Sequence, residues 1–158
     1  MRVLCDGRDV TAEIRTPEVT RNIYHLADEP AVRRVLIEQQ RALGHETDTV
    51  AEGRDQGTEV FPDAGLKFYL DASLAERAAR RLSDLRTAGR TDSLDDVRAE
   101  MQERDRRDHS RPVGALRKTD DMVLIDSTKL AAGEVVDAMV AEIRRRGLSG
   151  DRDGTDDT

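Results

Sequence analysis

One stretch of this chain sets an arginine and a carboxylate side by side between glycines: Glu52-Gly53-Arg54-Asp55-Gln56-Gly57-Thr58, followed at once by Val60-Phe61-Pro62-Asp63-Ala64. Glycine lets the backbone approach a ligand closely. The guanidinium presents a planar fork of donors suited to phosphate. The neighbouring carboxylate accepts from an amine donor such as the exocyclic amine of cytosine. Thr49-Val50-Ala51 reads as a short strand leading into this loop, and ligands in open α/β sheets bind beyond the carboxyl ends of strands. The competing reading is a tight turn held by an Arg54–Asp55 surface pair.

A second constellation is Arg104, Asp108 and Arg111. The spacing i, i+4, i+7 predicts one face of one helix, with Arg106 and Arg107 adding charge. Such a helix could act as a lid that brings arginines over transferring phosphates, because phosphoryl transfer depends on positioning and on neutralising charge. By residue type and spacing alone, a solvated helix laced with i,i+4 ion pairs is the stronger reading. Arg33, near Arg34 and Arg41, reads by residue type alone as solvated. His109, beside Asp108, lacks a nucleophile setting and reads as a surface residue. No metal site is expected. His25, His45 and His109 are scattered, and Glu52, Asp63 and Asp71 do not cluster by spacing.

Composition limits the classes open to the chain. Its 158 residues fit one domain with a sizeable core. With 3% aromatic residues, that core must be built of Val, Leu, Ile and Ala. A net charge of −7 argues against adhesion to nucleic acid or anionic membranes, and few aromatics remain for base stacking. Only Lys67, Lys118 and Lys129 are lysines; the other cations are arginines. A lone Cys5 forms no internal disulfide. No apolar run has membrane-spanning length and the start lacks a signal-peptide core, so a cytoplasmic location is expected.

These residues must be positioned by alternating helices and strands. Asp6-Gly7 is a hairpin dipeptide. Thr16 caps a helix opened by Pro17, with Val19, Ile23 and Leu26 as its apolar face. Pro30 starts a second helical run, carrying Val32, Val35 and Leu36, which Gly44 ends. Leu66–Leu70 is a strand apolar enough to be buried on both faces. Ser73 and Glu76 form a capping box for a helix to about Thr87, broken by Gly89. Ser93 opens a helix running to Arg111, stopped by Pro112. Met122–Ile125 is a further strand. The last helix carries Val135, Val136, Met139, Val140 and Ile143. The acidic residues 149–158 read as a disordered tail. The alternation predicts an α/β fold with a parallel sheet.

Several ordered motifs resemble those of bacterial cytidylate kinases over nearly the whole length, Val3 to about Arg146. They are Asp9-Val10-Thr11 with Glu13-Ile14-Arg15-Thr16, Val32-Arg33, Gln40-Arg41, Gly53-Arg54-Asp55 with Gly57-Thr58, Phe61-Pro62-Asp63-Ala64, Glu76-Arg77-Ala78, Glu103-Arg104-Asp105 with Asp108, Arg111, and Asp126-Ser127-Thr128. The resemblance implies a P-loop kinase-like parallel sheet with flanking helices, a CMP-binding insert at residues 1–44, the remaining kinase core at 45–148, and a lid around 90–115. It implies transfer of a phosphoryl group from ATP, with Mg²⁺, to CMP or dCMP. By the same resemblance Arg33 and Asp55 contact the cytosine, Arg54 and Arg111 hold the CMP phosphate, and Arg104 and Asp108 are lid residues near ribose and phosphates. Two positions depart from the pattern: Tyr24 stands where the family has a base-contacting serine, and Glu52 where Asp is common.

The family's phosphate loop, Gly-x-x-x-x-Gly-Lys-[Ser/Thr], does not occur in these 158 residues, and no lysine follows a glycine. The strand carrying that loop would lie between the Thr49–Ala51 strand and Leu66–Leu70, so the expectation is an N-terminally incomplete chain, unstable or rearranged and inactive alone. A misplaced start of the gene is one expected cause, and a missing part supplied by a separate polypeptide is another. A non-catalytic CMP-binding module is the alternative reading of function.

Overall fold

A computed structural model describes residues 2–44 and 48–148. The segment from Ser149, read above as an acidic tail, and His45 lie outside the described residues. The chain forms two compact units: residues up to Pro62 with Asp108–Arg117, and Asp63–Arg107 with the chain from Lys118 onward.

The first unit opens with an antiparallel hairpin, β1 (Leu4–Cys5) and β2 (Arg8–Asp9), in which Leu4 faces Asp9 and Cys5 faces Arg8. Asp6 (φ 48°) and Gly7 (φ 80°) make the left-handed two-residue turn that the Asp-Gly pair predicts. Thr16 caps α1 (Pro17–Asn22), its hydroxyl accepting from the Val19 amide at 3.3 Å. The chain then breaks at Ile23, runs through the single turn α2 (Tyr24–Ala27) and restarts as α3 (Pro30–Gly44). The expected apolar face is not covered: Val19, Ile23, Leu26, Val35 and Leu36 are exposed, and Ile37 is the buried residue of α3. Spacing tells which residues share a face, not whether anything packs on it.

The expected strand at Thr49–Ala51 does not form. These residues join neither sheet and Val50 is fully exposed. A strand is stable only as part of a ladder, because its backbone groups need partners across a sheet. The loop that follows closes as one π-helical turn, Gln56–Val60, with Val60 buried.

The second unit pairs β3 (Lys67–Asp71) in parallel with β4 (Met122–Asp126), in register from Lys67 opposite Met122 to Asp71 opposite Asp126. The Ser127 amide extends the pairing to the Asp71 carbonyl at 2.7 Å. The crossover carries α4 (Leu74–Thr87) and α5 (Leu94–Ser110). Ser73 caps α4 by accepting from the Glu76 amide at 3.2 Å, and Ser93 caps α5 at the Asp96 amide at 3.1 Å. Gly89, at φ +78°, ends α4 as the Arg90 amide reaches back to the Leu85 carbonyl. Ala78, Leu82, Leu85 and Val97 form the core, with Met101 packed against it. After β4 comes α6 (Ala132–Arg145). The architecture is therefore α/β, a small parallel sheet flanked by helices, as expected. The expectation that β3 is buried on both faces fails: residues 67–69 are half-buried and Leu70 is exposed, as is Leu124 of β4. An apolar run marks a strand, but burial needs a layer on each face. Among the described residues no helix is long and apolar enough to cross a membrane.

Two outcomes test this packing. Leu82→Ala should lower unfolding free energy by about 2–5 kcal/mol, whereas Val136→Ala, on an exposed position of α6, should stay within about 0.5 kcal/mol; urea titration reads both. At the end of α6, hydrogen bonds from Arg145 and Arg146 hold the Glu142 carboxyl at about 2, below its ordinary 4.5. A depressed carboxyl contributes stability that is present above 4.5 and lost as pH falls toward 2. The stability difference between the wild-type chain and Glu142→Gln should therefore be present at neutral pH and vanish near pH 2.

Candidate functional site

The site assembles in the first unit around two arginine–carboxylate systems. Arg33 lies in the first turn of α3 with its side chain only 12% exposed. Its Nη1 donates to the Ala27 carbonyl at 3.1 Å and its Nη2 pairs with Asp55 Oδ2. Its Nε is buried and has no hydrogen-bond partner among the described residues. Asp55 stands at the head of the π turn, where its carbonyl accepts from the amides of Thr58, Glu59 and Val60. The buried pair thus presents a carboxylate acceptor beside an unused donor. An unsatisfied buried donor is costly, so this edge calls for an acceptor such as a bound water. Arg33 is not the solvated side chain that its residue type suggests.

Gly114 closes in behind this pair. It is buried at φ +70°, and a Cβ there would collide with the Arg33 guanidinium and Asp55 Oδ2. The turn it makes returns the chain so that the Leu116 amide bonds the Asp108 carbonyl at 2.8 Å.

The second system centres on Asp108, 1% exposed. Its Oδ1 lies 2.8 Å from Arg111 Nη2 and its Oδ2 lies 3.2 Å from Arg54 Nη1. Arg111 also donates from Nε to Asp28 Oδ1 at 2.5 Å. One buried carboxylate therefore holds two guanidinium groups, and a second anchors one of them. Arg54 and Asp55 are not simply partners of each other in a surface turn: Asp55 pairs with Arg33 and Arg54 with Asp108. The helix-face expectation for Arg104, Asp108 and Arg111 needs correction. Helix α5 stops at Ser110, because a residue before proline, here Arg111 before Pro112, is pushed out of the α region. Arg111 meets Asp108 through the turn beyond the helix end. Arg104 belongs to the second unit, exposed on α5.

Five of the six expected residues, Arg33, Arg54, Asp55, Asp108 and Arg111, are thus drawn together in one unit. Sequence reasoning missed Asp28 and Gly114 and gave Arg41 no role. Asp28 pairs with a residue 83 positions away, which no local spacing reveals. Gly114 carried a faint signal as a glycine closely following a proline.

Fold and site together define an α/β protein with a largely shielded Arg33–Asp55 pair beside two arginines gathered on the buried Asp108. A model of the family described as cytidylate kinase matches residues 1–145. Among curated relatives, the cytidylate kinase of Rhodopirellula baltica is 43% identical over 143 residues, 90% of this chain and 62% of that protein. The cytidylate kinase of Vibrio vulnificus is 42% identical over 146 residues, 92% of this chain and 65% of that protein. The bifunctional pantoate ligase/cytidylate kinase of Synechococcus elongatus is 47% identical over 148 residues, 94% of this chain and 28% of that protein. The chain belongs to the cytidylate kinase family. It spans 62–65% of the length of these two single-function relatives and about a quarter of the bifunctional one.

The Asp108 node sets the expected outcome of mutation. Asp108→Ala removes the carboxylate shared by Arg54 and Arg111, leaving Arg111 its bond to Asp28, and should cost about 1–3 kcal/mol of stability, read by chemical denaturation. Gly114→Ala places a side chain in a left-handed conformation and should cost about 1–2 kcal/mol while displacing the Arg33–Asp55 pair, an effect visible in side-chain NMR of Arg33.

Proposed function

We propose that this chain carries the nucleoside-monophosphate side of a cytidylate kinase. It binds CMP or dCMP, and in the complete kinase the phosphoryl group of ATP passes to the bound phosphate, giving CDP or dCDP. The observation that carries this reading is the buried Arg33–Asp55 pair with its unused Arg33 Nε. Cytosine offers an exocyclic amine to the Asp55 carboxylate and an adjacent ring acceptor to the Arg33 donor. Uracil offers no amine there, so the pair would read the base. Arg54 and Arg111, spaced by Asp108, would take the phosphate. The segment 1–44 serves in this reading as the CMP-binding insert and residues around 90–115 as the lid, with Arg104 as a lid arginine that neutralises charge on the transferring phosphates. Asp108 would also lie near the ribose.

Mg²⁺ accompanies ATP in this chemistry and balances phosphate charge. Among the described residues no three His, Cys, Asp or Glu side chains gather as a metal cage, and Mg²⁺ on a nucleotide is held mainly by phosphates and water rather than by such a cage. A second reading is a CMP-binding module without ATP chemistry.

Calorimetric titration of the chain with CMP and UMP, with and without ATP, tests both readings. CMP should bind about tenfold or more tighter than UMP, and Asp55→Ala should erase that preference, a loss of about 1–3 kcal/mol. Equal affinity for the two nucleotides in the wild-type chain would remove Asp55 from base reading. ATP-dependent conversion of CMP to CDP would dismiss the non-catalytic module.

A further inference from the structure

Helix α3 grips the Arg54–Asp55 loop at two places, and only the first is part of the site described above. At the head of the loop Arg33 takes the Asp55 carboxylate. Eight residues further along α3, about 12 Å at an α-helical rise, Arg41 takes the other end. Its Nε donates to the Val60 carbonyl at 3.0 Å and its Nη2 to the Glu59 carbonyl at 2.5 Å.

Those two carbonyls have a specific need for a partner. The loop is a single π turn in which three amides converge on the Asp55 carbonyl and the Phe61 amide bonds the Gln56 carbonyl at 2.7 Å. No further turn follows, so the carbonyls at its end lack the helical donors that a longer helix would supply. A planar guanidinium reaches both at once from one side chain, which a single ammonium does less well. π turns are rare and occur mostly inside longer α-helices, which this one does not.

Two further contacts fix the same seam. Gln56 donates from Nε2 to Gln40 Oε1 at 3.1 Å. Gly44, the last residue of α3, lies so close to the Phe61 ring that a Cβ there would strike it. The loop is therefore laced to α3 from Asp55 to Phe61, with Arg41 supplying the pair of charge-assisted bonds at its far end.

We propose that Arg41 is a positioning residue for the base-reading carboxylate. It holds the π turn closed, and the closed turn holds Asp55 in register with Arg33, so that donor and acceptor face one heterocycle together. Arg41 itself touches no reacting group. The proposal rests on the CMP-binding reading above, and its test separates the two.

Arg41→Ala, Arg41→Lys and the control Arg34→Ala, which removes a charge from an exposed neighbouring position of α3, are compared in the full chain. Hydrogen exchange of the Thr58–Phe61 amides reports the turn, with the α4 core amides as internal reference. Calorimetry reports CMP and UMP affinity. Loss of the two bonds should speed exchange of the turn by about tenfold or more, leave the α4 amides unchanged, and lower the CMP-over-UMP preference by a similar factor. Arg41→Lys should recover part of both effects and, because it keeps the charge, serves if Arg41→Ala does not fold. Arg34→Ala should change neither. Unaltered exchange in the turn overturns the proposal. Faster exchange with an intact CMP preference also overturns it, since Arg41 would then fasten the loop without positioning Asp55. If the wild-type chain binds neither nucleotide, the functional reading falls separately, and the exchange difference alone decides whether Arg41 holds the turn.

Discussion

The carboxylate of Asp108 lies almost wholly out of solvent between the guanidinium groups of Arg54 and Arg111. Two like charges at this separation repel, and more strongly where water is excluded. Burying an unpaired carboxylate is likewise unfavourable. Each side of the arrangement answers the other's difficulty: the acid lets two arginines share one small region, and the arginines let the acid be buried. Asp28 adds a further negative charge at Arg111, and Arg33 with Asp55 forms a balanced pair beside them. The two guanidinium groups are thereby held in place, so an anion bound by them would cost less conformational entropy.

Backbone conformation serves this charge network. Gly114 takes a left-handed turn with no side chain, leaving room for the Arg33 guanidinium and the Asp55 carboxylate where a Cβ would otherwise sit. Pro112 ends α5 before Arg111, so that arginine leaves the helix and bonds Asp28 as well as Asp108. The π turn gathers three amides on one Asp55 carbonyl and sets its carboxylate toward α3. The charged groups of the site thus depend on conformations set by a glycine, a proline and an unusual turn rather than on regular helix or strand.

The second unit rests on different physics. Its core of Ala78, Leu82, Leu85 and Val97 is aliphatic, in keeping with a chain whose aromatic content is 3%. Its parallel strands are tied at their ends by Ser127, whose amide and hydroxyl both bond the Asp71 carbonyl, and by Arg80, whose Nη2 reaches the Ser127 carbonyl at 2.6 Å. Membership of the cytidylate kinase family accounts for both units, since the family match runs through them from residue 1 to 145.

Local chemistry was legible in the sequence wherever the cause is local. The Asp6-Gly7 hairpin, the caps at Thr16, Ser73 and Ser93 and the stop at Gly89 follow from dihedral preferences and from side chains reaching a few residues along the backbone. The motif residues Arg54, Asp55, Asp108 and Arg111 were legible as a set only through family resemblance, because residue type alone favoured a surface turn and a solvated helix. Tertiary structure decided the rest. It chose which carboxylate each arginine meets, since Arg33 and Asp55 are 22 residues apart and Asp28 and Arg111 are 83 apart. It left Thr49–Ala51 outside any sheet and Leu70 and Leu124 uncovered, because strand formation and burial depend on neighbours that a run of apolar letters does not specify. Ion pairing and burial are properties of the space around a side chain, and that space is composed by segments distant along the chain.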